Sequence, residues 1–158
     1  MRNQKYKYGM SLIEILMAVF IVAVLATMVI SVSSSLDNRS KEDGTKVLFS
    51  QLETALQEYY EYWNGFPDPN LAPYPTNSAA LYGQLRSTPG TNIYLENINE
   101  KLIKNNPNVP VEMPQILEIY DPWGTLLDYK YIPGNAFPKL VSAGPDKVFG
   151  TVDDIQNK

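Results

Sequence analysis

The chain of 158 residues carries a net charge of −4 and a sequence pI near 4.8. It contains no histidine, the commonest general base and metal ligand, and no cysteine, so it relies on no disulfide. The basic residues beyond the first nine positions are scattered, which excludes the basic stripe of a nucleic-acid-binding surface.

Residues 1–9 hold Arg2, Lys5 and Lys7 and no acid, and from position 10 to 30 every residue is apolar or small and neutral except Glu14. At about 1.5 Å per residue this run makes a helix of ~31 Å, enough to cross the hydrocarbon core of a bilayer. The basic flank holds the N-terminus in the cytoplasm and sends the rest across. An ordinary secretory leader has its apolar stretch before the cleavage site. Here the only leader-like junction, Tyr8-Gly9-Met10, precedes that stretch, so a cut there leaves the helix on the mature chain. A carboxylate at the centre of a membrane helix costs ~2.5–3.5 kcal/mol. Glu14 therefore either snorkels from one turn below the surface of an uncleaved signal anchor, or pairs with a free α-amine created at Met10 by cleavage after Gly9.

Lys7-Tyr8-Gly9-Met10-Ser11-Leu12-Ile13-Glu14 followed by an apolar helix resembles the leader and N-terminal methylation motif of type IV pilins and type II secretion pseudopilins. The resemblance implies that a membrane-embedded prepilin peptidase cuts after Gly9 and N-methylates Met10, where Phe is commoner in the family. It also makes Glu14, the fifth residue of the mature chain, the acid that guides docking between subunits.

Residues 31–44 are polar, with a lone Gly44, and read as the point where the helix leaves the membrane, with a local loosening there. From Thr45 the helical pattern resumes, and Leu48, Leu52, Ala55 with Leu56, Tyr59 and Trp63 make one apolar stripe that packs beneath a small sheet. Asn64-Gly65-Phe66-Pro67 stops the helix, with Gly65 in the left-handed closing conformation and Pro67 unable to continue the ladder. Counted from Met10, an uninterrupted spine is ~80 Å long. Residues 67–115 are rich in Pro, Asn and Ser and read as a variable connecting region. It holds two helical pieces, 78–85 with Ser78 as N-cap and Leu81, Tyr82 and Leu85 packed, and 95–103 with Leu95, Ile98, Leu102 and Ile103 at helical spacing.

The last third changes period. Runs at 116–120, 126–132 and 137–141 are β-like, and Asp121-Pro122-Trp123-Gly124 and Pro133-Gly134-Asn135 supply turns, the first of type I. Short connections imply antiparallel neighbours, hence a three-stranded antiparallel sheet over the helix. The turn accounts for Asp121 and Trp123 without a substrate, and Glu112, Glu118 and Asp128 show no pairing suited to acid–base work, so the chain does not read as an enzyme. Beyond the sheet, Asp146, Asp153 and Asp154 sit at the edges of a loop bracketed by Gly144 and Gly150. By spacing alone this is a solvated, turn-rich tail, although a loop of carboxylates, carbonyls and hydroxyls is also what a hard cation such as calcium takes.

Asn64-Gly65-Phe66-Pro67, Asp121-Pro122-Trp123-Gly124 with Tyr129 and Tyr131, and the segment from Ser142 to Ile155 stand in the same order as in the major pseudopilins of type II secretion, which the chain resembles outside residues 68–115. That resemblance implies a calcium-binding closing loop with Asp146, Asp153 and Asp154 as ligands and Ser142 and the Leu140 carbonyl as weaker candidates. Lys147 stands where the family usually has Gly.

The expected fold is α+β: a leader at 1–9, a transmembrane and filament-core helix at 10–30, its continuation at 31–66, the connecting region at 67–115, and the sheet with its calcium-type loop at 116–158. The expected function is a non-enzymatic structural subunit of the periplasmic pseudopilus of a type II protein secretion system. It self-assembles into a helical filament. Its partners are other pseudopilins, the inner-membrane assembly platform, the prepilin peptidase and membrane lipid. It sits in the inner membrane as a single-pass protein, N-terminus cytoplasmic and C-terminal domain periplasmic. The alternatives are a type IV pilin or minor pilin for adhesion, competence or motility, and an uncleaved, signal-anchored periplasmic binding module using the loops around 67–115.

Overall fold

The computed structural model describes residues 11–109 and 115–157, with the backbone but not the side chains of 28–34. The chain divides into two compact units, Met1–Arg39 and Ser40–Lys158. The first helix, α1 (Leu12–Trp63), is 52 residues long and belongs to both. It opens at Ser11, whose carbonyl accepts the N–H groups of Glu14 and Ile15 at 3.0 and 3.2 Å. The expected loosening between 31 and 44 does not occur: the backbone is helical throughout, since no proline interrupts it and one glycine costs only about 1 kcal/mol.

In the first unit every described side chain from Ser11 to Thr27 is exposed. Among the described residues no helix is long and apolar enough to cross a membrane. The apolar sequence runs on from Thr27 to Ile30, and the span expected at 10–30 lies partly outside the described residues.

In the second unit α1 buries Thr45, Leu48, Phe49, Leu52, Ala55 and Leu56, a face at three- and four-residue steps that matches the expected stripe. Trp63 is an exception. It is 59% exposed, because the last turn projects past the core, and its indole N–H donates to Thr88 Oγ1 at 3.0 Å. The helix ends on Asn64 (φ 53°), not on Gly65; the Asn64 N–H donates to the Tyr60 carbonyl at 2.8 Å. Asparagine is the residue after glycine that best tolerates this conformation, so the reversal comes one position early.

Helix α2 (Asn77–Ser87) is capped by Thr76, whose hydroxyl accepts the Ala79 N–H at 3.1 Å. Ser78, expected as the cap, is buried inside the helix, and its hydroxyl bridges to Ile119, donating to the carbonyl at 3.0 Å and accepting the N–H at 2.9 Å. The expected helix at 95–103 is instead α3 (Asn92–Glu96), a 3₁₀ turn (Glu100–Leu102) and the start of a strand. The Asn99 side chain accepts the Lys101 N–H and starts the tighter turn, an alternative to continuing the helix.

Among the described residues the strands form two sheets, not one. β1 (Ile103–Asn105) pairs antiparallel with β2 (Leu117–Ile119), with Ile103 opposite Ile119. β3 (Asp128–Lys130), β4 (Lys139–Ser142) and β5 (Ile155–Gln156) form an antiparallel sheet in that order, with Tyr129 opposite Leu140 and Ser142 opposite Ile155. The run at 116–120 therefore takes an upstream partner, and just ahead of β3 it is joined by a bridge between Tyr120 and Leu126 and by the Leu127 N–H donating to the Ile119 carbonyl at 2.9 Å. The third strand of that sheet comes from beyond the acidic loop. The core joins Leu48, Leu52 and Leu56 of α1 to Leu81 and Leu85 of α2, and to Ile119, Leu127, Tyr129 and Leu140. Fully burying each such side chain contributes about 1.5–3 kcal/mol, and the connecting region supplies a whole layer of it.

Candidate functional site

The turn that leads into the second sheet closes with the Gly124 N–H on the Asp121 carbonyl at 2.9 Å. Asp121 is 1% exposed. Its Oδ1 accepts the N–H groups of Trp123 (3.1 Å) and Thr125 (2.8 Å), and its Oδ2 accepts the Ser142 hydroxyl at 2.7 Å. Ser142, fully buried at the end of β4, also accepts the Gly144 N–H at 3.2 Å. Gly144 (φ 67°) then backs onto the Asp153 carbonyl so closely that a Cβ there would collide with it. Glycine is required at that point for both reasons.

Past Gly144 the loop folds on its own acids. Asp146 Oδ1 accepts the Val148 N–H at 2.8 Å, and the Asp146 N–H donates to Asp153 Oδ2 at 3.1 Å. Asp153 Oδ1 accepts the Thr151 hydroxyl at 2.6 Å. The Thr151 hydrogen bond first, then the Asp146 N–H, hold the Asp153 carboxyl below the usual carboxylate range. Asp154 Oδ2 accepts the Gly150 N–H at 2.8 Å, while its Oδ1 is buried and has no hydrogen-bond partner among the described residues. Lys147 takes a left-handed conformation (φ 62°), one that a glycine would adopt without strain.

The structure thus joins Asp146 to Asp153 and sets Asp154 against Gly150. Leu140 lies on β4, its carbonyl accepting the Asn157 N–H at 3.2 Å and its N–H donating to Asn157 Oδ1 at 2.8 Å. Among the described residues no three acidic side chains gather as they stand around a point where a metal ion could be held. The donor set fits a hard cation in kind, since every candidate group is an oxygen, and the unpaired buried Oδ1 of Asp154 is an acceptor wanting a partner. Gly9 and Met10 lie outside the described residues, as does Glu112. Glu14 is exposed in the first turn of α1.

Two acids do more than their sequence context suggests. Asp121 reaches across to Ser142, as above. Glu118 is 1% exposed, and its Oε1 accepts the Thr76 hydroxyl (2.6 Å) and the Asn106 amide (2.8 Å), while its Oε2 accepts the Tyr120 hydroxyl (3.0 Å). The available signal was a charged residue inside the apolar run of β2. Its partners, up to 42 positions away, leave no local pattern.

Residues 4–30 match the family model of the prokaryotic N-terminal methylation motif. The chain is 31% identical over 161 aligned positions to the type II secretion system core protein G of Escherichia coli strain K12, covering 99% of this chain and 94% of that protein. No solved structure matches it. The methylation motif on a long exposed apolar helix, the α+β body and the near full-length likeness converge on one assignment: the chain belongs to the type II secretion core protein G family, the major pseudopilins, and is a structural subunit of the pseudopilus.

Proposed function

We propose that the chain is cut after Gly9 by a prepilin peptidase, methylated at Met10 and stored in the inner membrane with its N-terminus cytoplasmic. From there it passes, through the assembly platform, into a periplasmic filament with other pseudopilins. It acts by assembly, not by catalysis. The observation that carries this reading is α1: its described side chains from Ser11 to Thr27 are all exposed, and Glu14 is the one acid among them. Outside lipid that surface is stable only against other apolar surface, and neighbouring subunits supply it. Glu14 needs a cation inside such a packing, and the α-amine of Met10 on an adjacent subunit is the nearest chemical match.

Immunoblots and filament preparations from cells expressing the full chain test this. Gly9→Leu should leave only the longer precursor. Glu14→Ala should be processed normally yet give far fewer filaments. Normal maturation of the first, or normal filament yield from the second, overturns the corresponding step.

Calcium is the cation proposed for the closing loop. Asp146, Asp153 and Asp154 would hold it, with the Leu140 carbonyl and Ser142 close by in sequence. When bound, the ion would neutralise the three carboxylates that this one loop carries. The unpaired Asp154 oxygen supports the reading.

A further inference from the structure

We propose that Asp121 and Ser142 are positioning residues for the acidic loop: a buried hydroxyl relay ties the turn at 121–124 to Gly144, and through Gly144 sets the place of Asp153. The inference rests on the calcium reading above and assigns Ser142 a role other than ligand.

The polarity of the relay is fixed. Asp121 Oδ1 is taken by two N–H groups of its own turn, so Oδ2 is the oxygen left for Ser142. The Ser142 hydroxyl has one proton and gives it to that oxygen, which turns a lone pair toward the Gly144 N–H. Gly144 in turn packs against the Asp153 carbonyl, and a Cβ at Gly144 would also come to 3.2 Å from Asp153 Oδ2, the oxygen that accepts the Asp146 N–H. Each step is a direct contact, and Asp121 and Ser142 are both buried. Solvent therefore cannot substitute for a missing partner. A partner that holds a ligating segment from behind affects metal affinity by about 10–100-fold when removed.

Asp121→Asn separates this role from direct ligation by Ser142. The amide still accepts its two N–H groups through Oδ1, but offers an N–H in place of Oδ2. The Ser142 oxygen then faces two donors and its own proton loses its acceptor, although every proposed ligand is intact. The measurement is calcium affinity by calorimetry on the full-length protein in detergent micelles, with thermal midpoints in calcium, magnesium and chelator. Wild type should bind calcium in preference to magnesium. Asp121→Asn and Ser142→Ala should each weaken calcium binding about tenfold or more, and the double variant should be no weaker than the worse single one, because both remove one relay. Tyr129→Phe, which loses a buried hydrogen bond on β3, should lower the chelator midpoint and leave affinity unchanged. If wild type binds calcium and Asp121→Asn binds it equally well, the relay is overturned and the calcium reading stands. Should Asp121→Asn not fold, Ser142→Thr decides: a restored hydroxyl must restore affinity, and failure to do so overturns the relay. Wild type indifferent to calcium and chelator overturns both.

Discussion

Tyr129 shows how much a single buried group carries. Its ring is fully buried and its hydroxyl donates to the Pro67 carbonyl at 2.8 Å, tying β3 to the segment just after α1. Burial, with smaller contributions from Tyr59, Tyr131 and Asp68, pushes its pKa far above the ordinary value of 10.0. Because the folded value is the higher one, its contribution is complete below pH 10. As the pH rises further only the unfolded chain releases the proton, so stability falls. Tyr129→Phe should cost about 1–2 kcal/mol at neutral pH, since the Pro67 carbonyl loses its partner. It should also flatten the decline above pH 10, read from denaturant melts across pH 7–11.5. An equally steep decline in the variant would assign alkaline instability to other groups. At this scale the sequence was informative about residues whose reason is local, such as the Asp-Pro-x-Gly turn. It was mute about Asp121 Oδ2 and Glu118, because a hydrogen bond spanning 21 or 42 positions leaves no spacing to read.

Helices α1 and α2 each contain a glycine, with opposite reasons. A Cβ at Gly44 in α1 would meet only Pro122 Cγ at 3.8 Å, an ordinary contact, so the fold of one subunit does not require glycine there. At Gly83 in α2 a Cβ would run into the ring and hydroxyl of Tyr74, which lies across the helix at that point. Gly44→Ala should therefore stabilise by about 0.5–1 kcal/mol through backbone entropy. Gly83→Ala should destabilise by about 1–3 kcal/mol as Tyr74 is displaced. Thermal melts of the two variants in parallel check the pair, and stabilisation of both would mean that Tyr74 yields without cost. The elements themselves divide the same way. The stripe on α1 and the stop after Trp63 follow from periodicity and from Asn64 and Pro67. The two residues of β5 are too short to have a period, and β1 follows directly on a 3₁₀ turn, so neither strand was recoverable before its partner was known. That is why one sheet was expected and two are present.

Across the whole molecule, the leader motif and the helix carry the functional assignment, while the second unit must hold its own shape without disulfides. Glu118 is central to that: it gathers Thr76 at the N-cap of α2, Asn106 just past β1 and Tyr120 just past β2 onto one carboxylate. Its consequence is kinetic. Two of these three contacts, to Thr76 and Asn106, cannot form until segments 42 and 12 positions from Glu118 have been brought to it, and each such closure costs chain entropy before any bond repays it. The carboxylate accordingly closes late, after the apolar layers have met, and its loss falls on the rate of opening. Glu118→Gln, which sets an N–H against at least one of its donors, should cost about 2 kcal/mol. Stopped-flow chevrons should show unfolding roughly thirtyfold faster with refolding little changed; slowed refolding would instead place Glu118 in the nucleus. On that account the buried acid governs how long the folded unit survives between openings, a lifetime that matters most to a subunit exposed to proteases before it is packed among its neighbours.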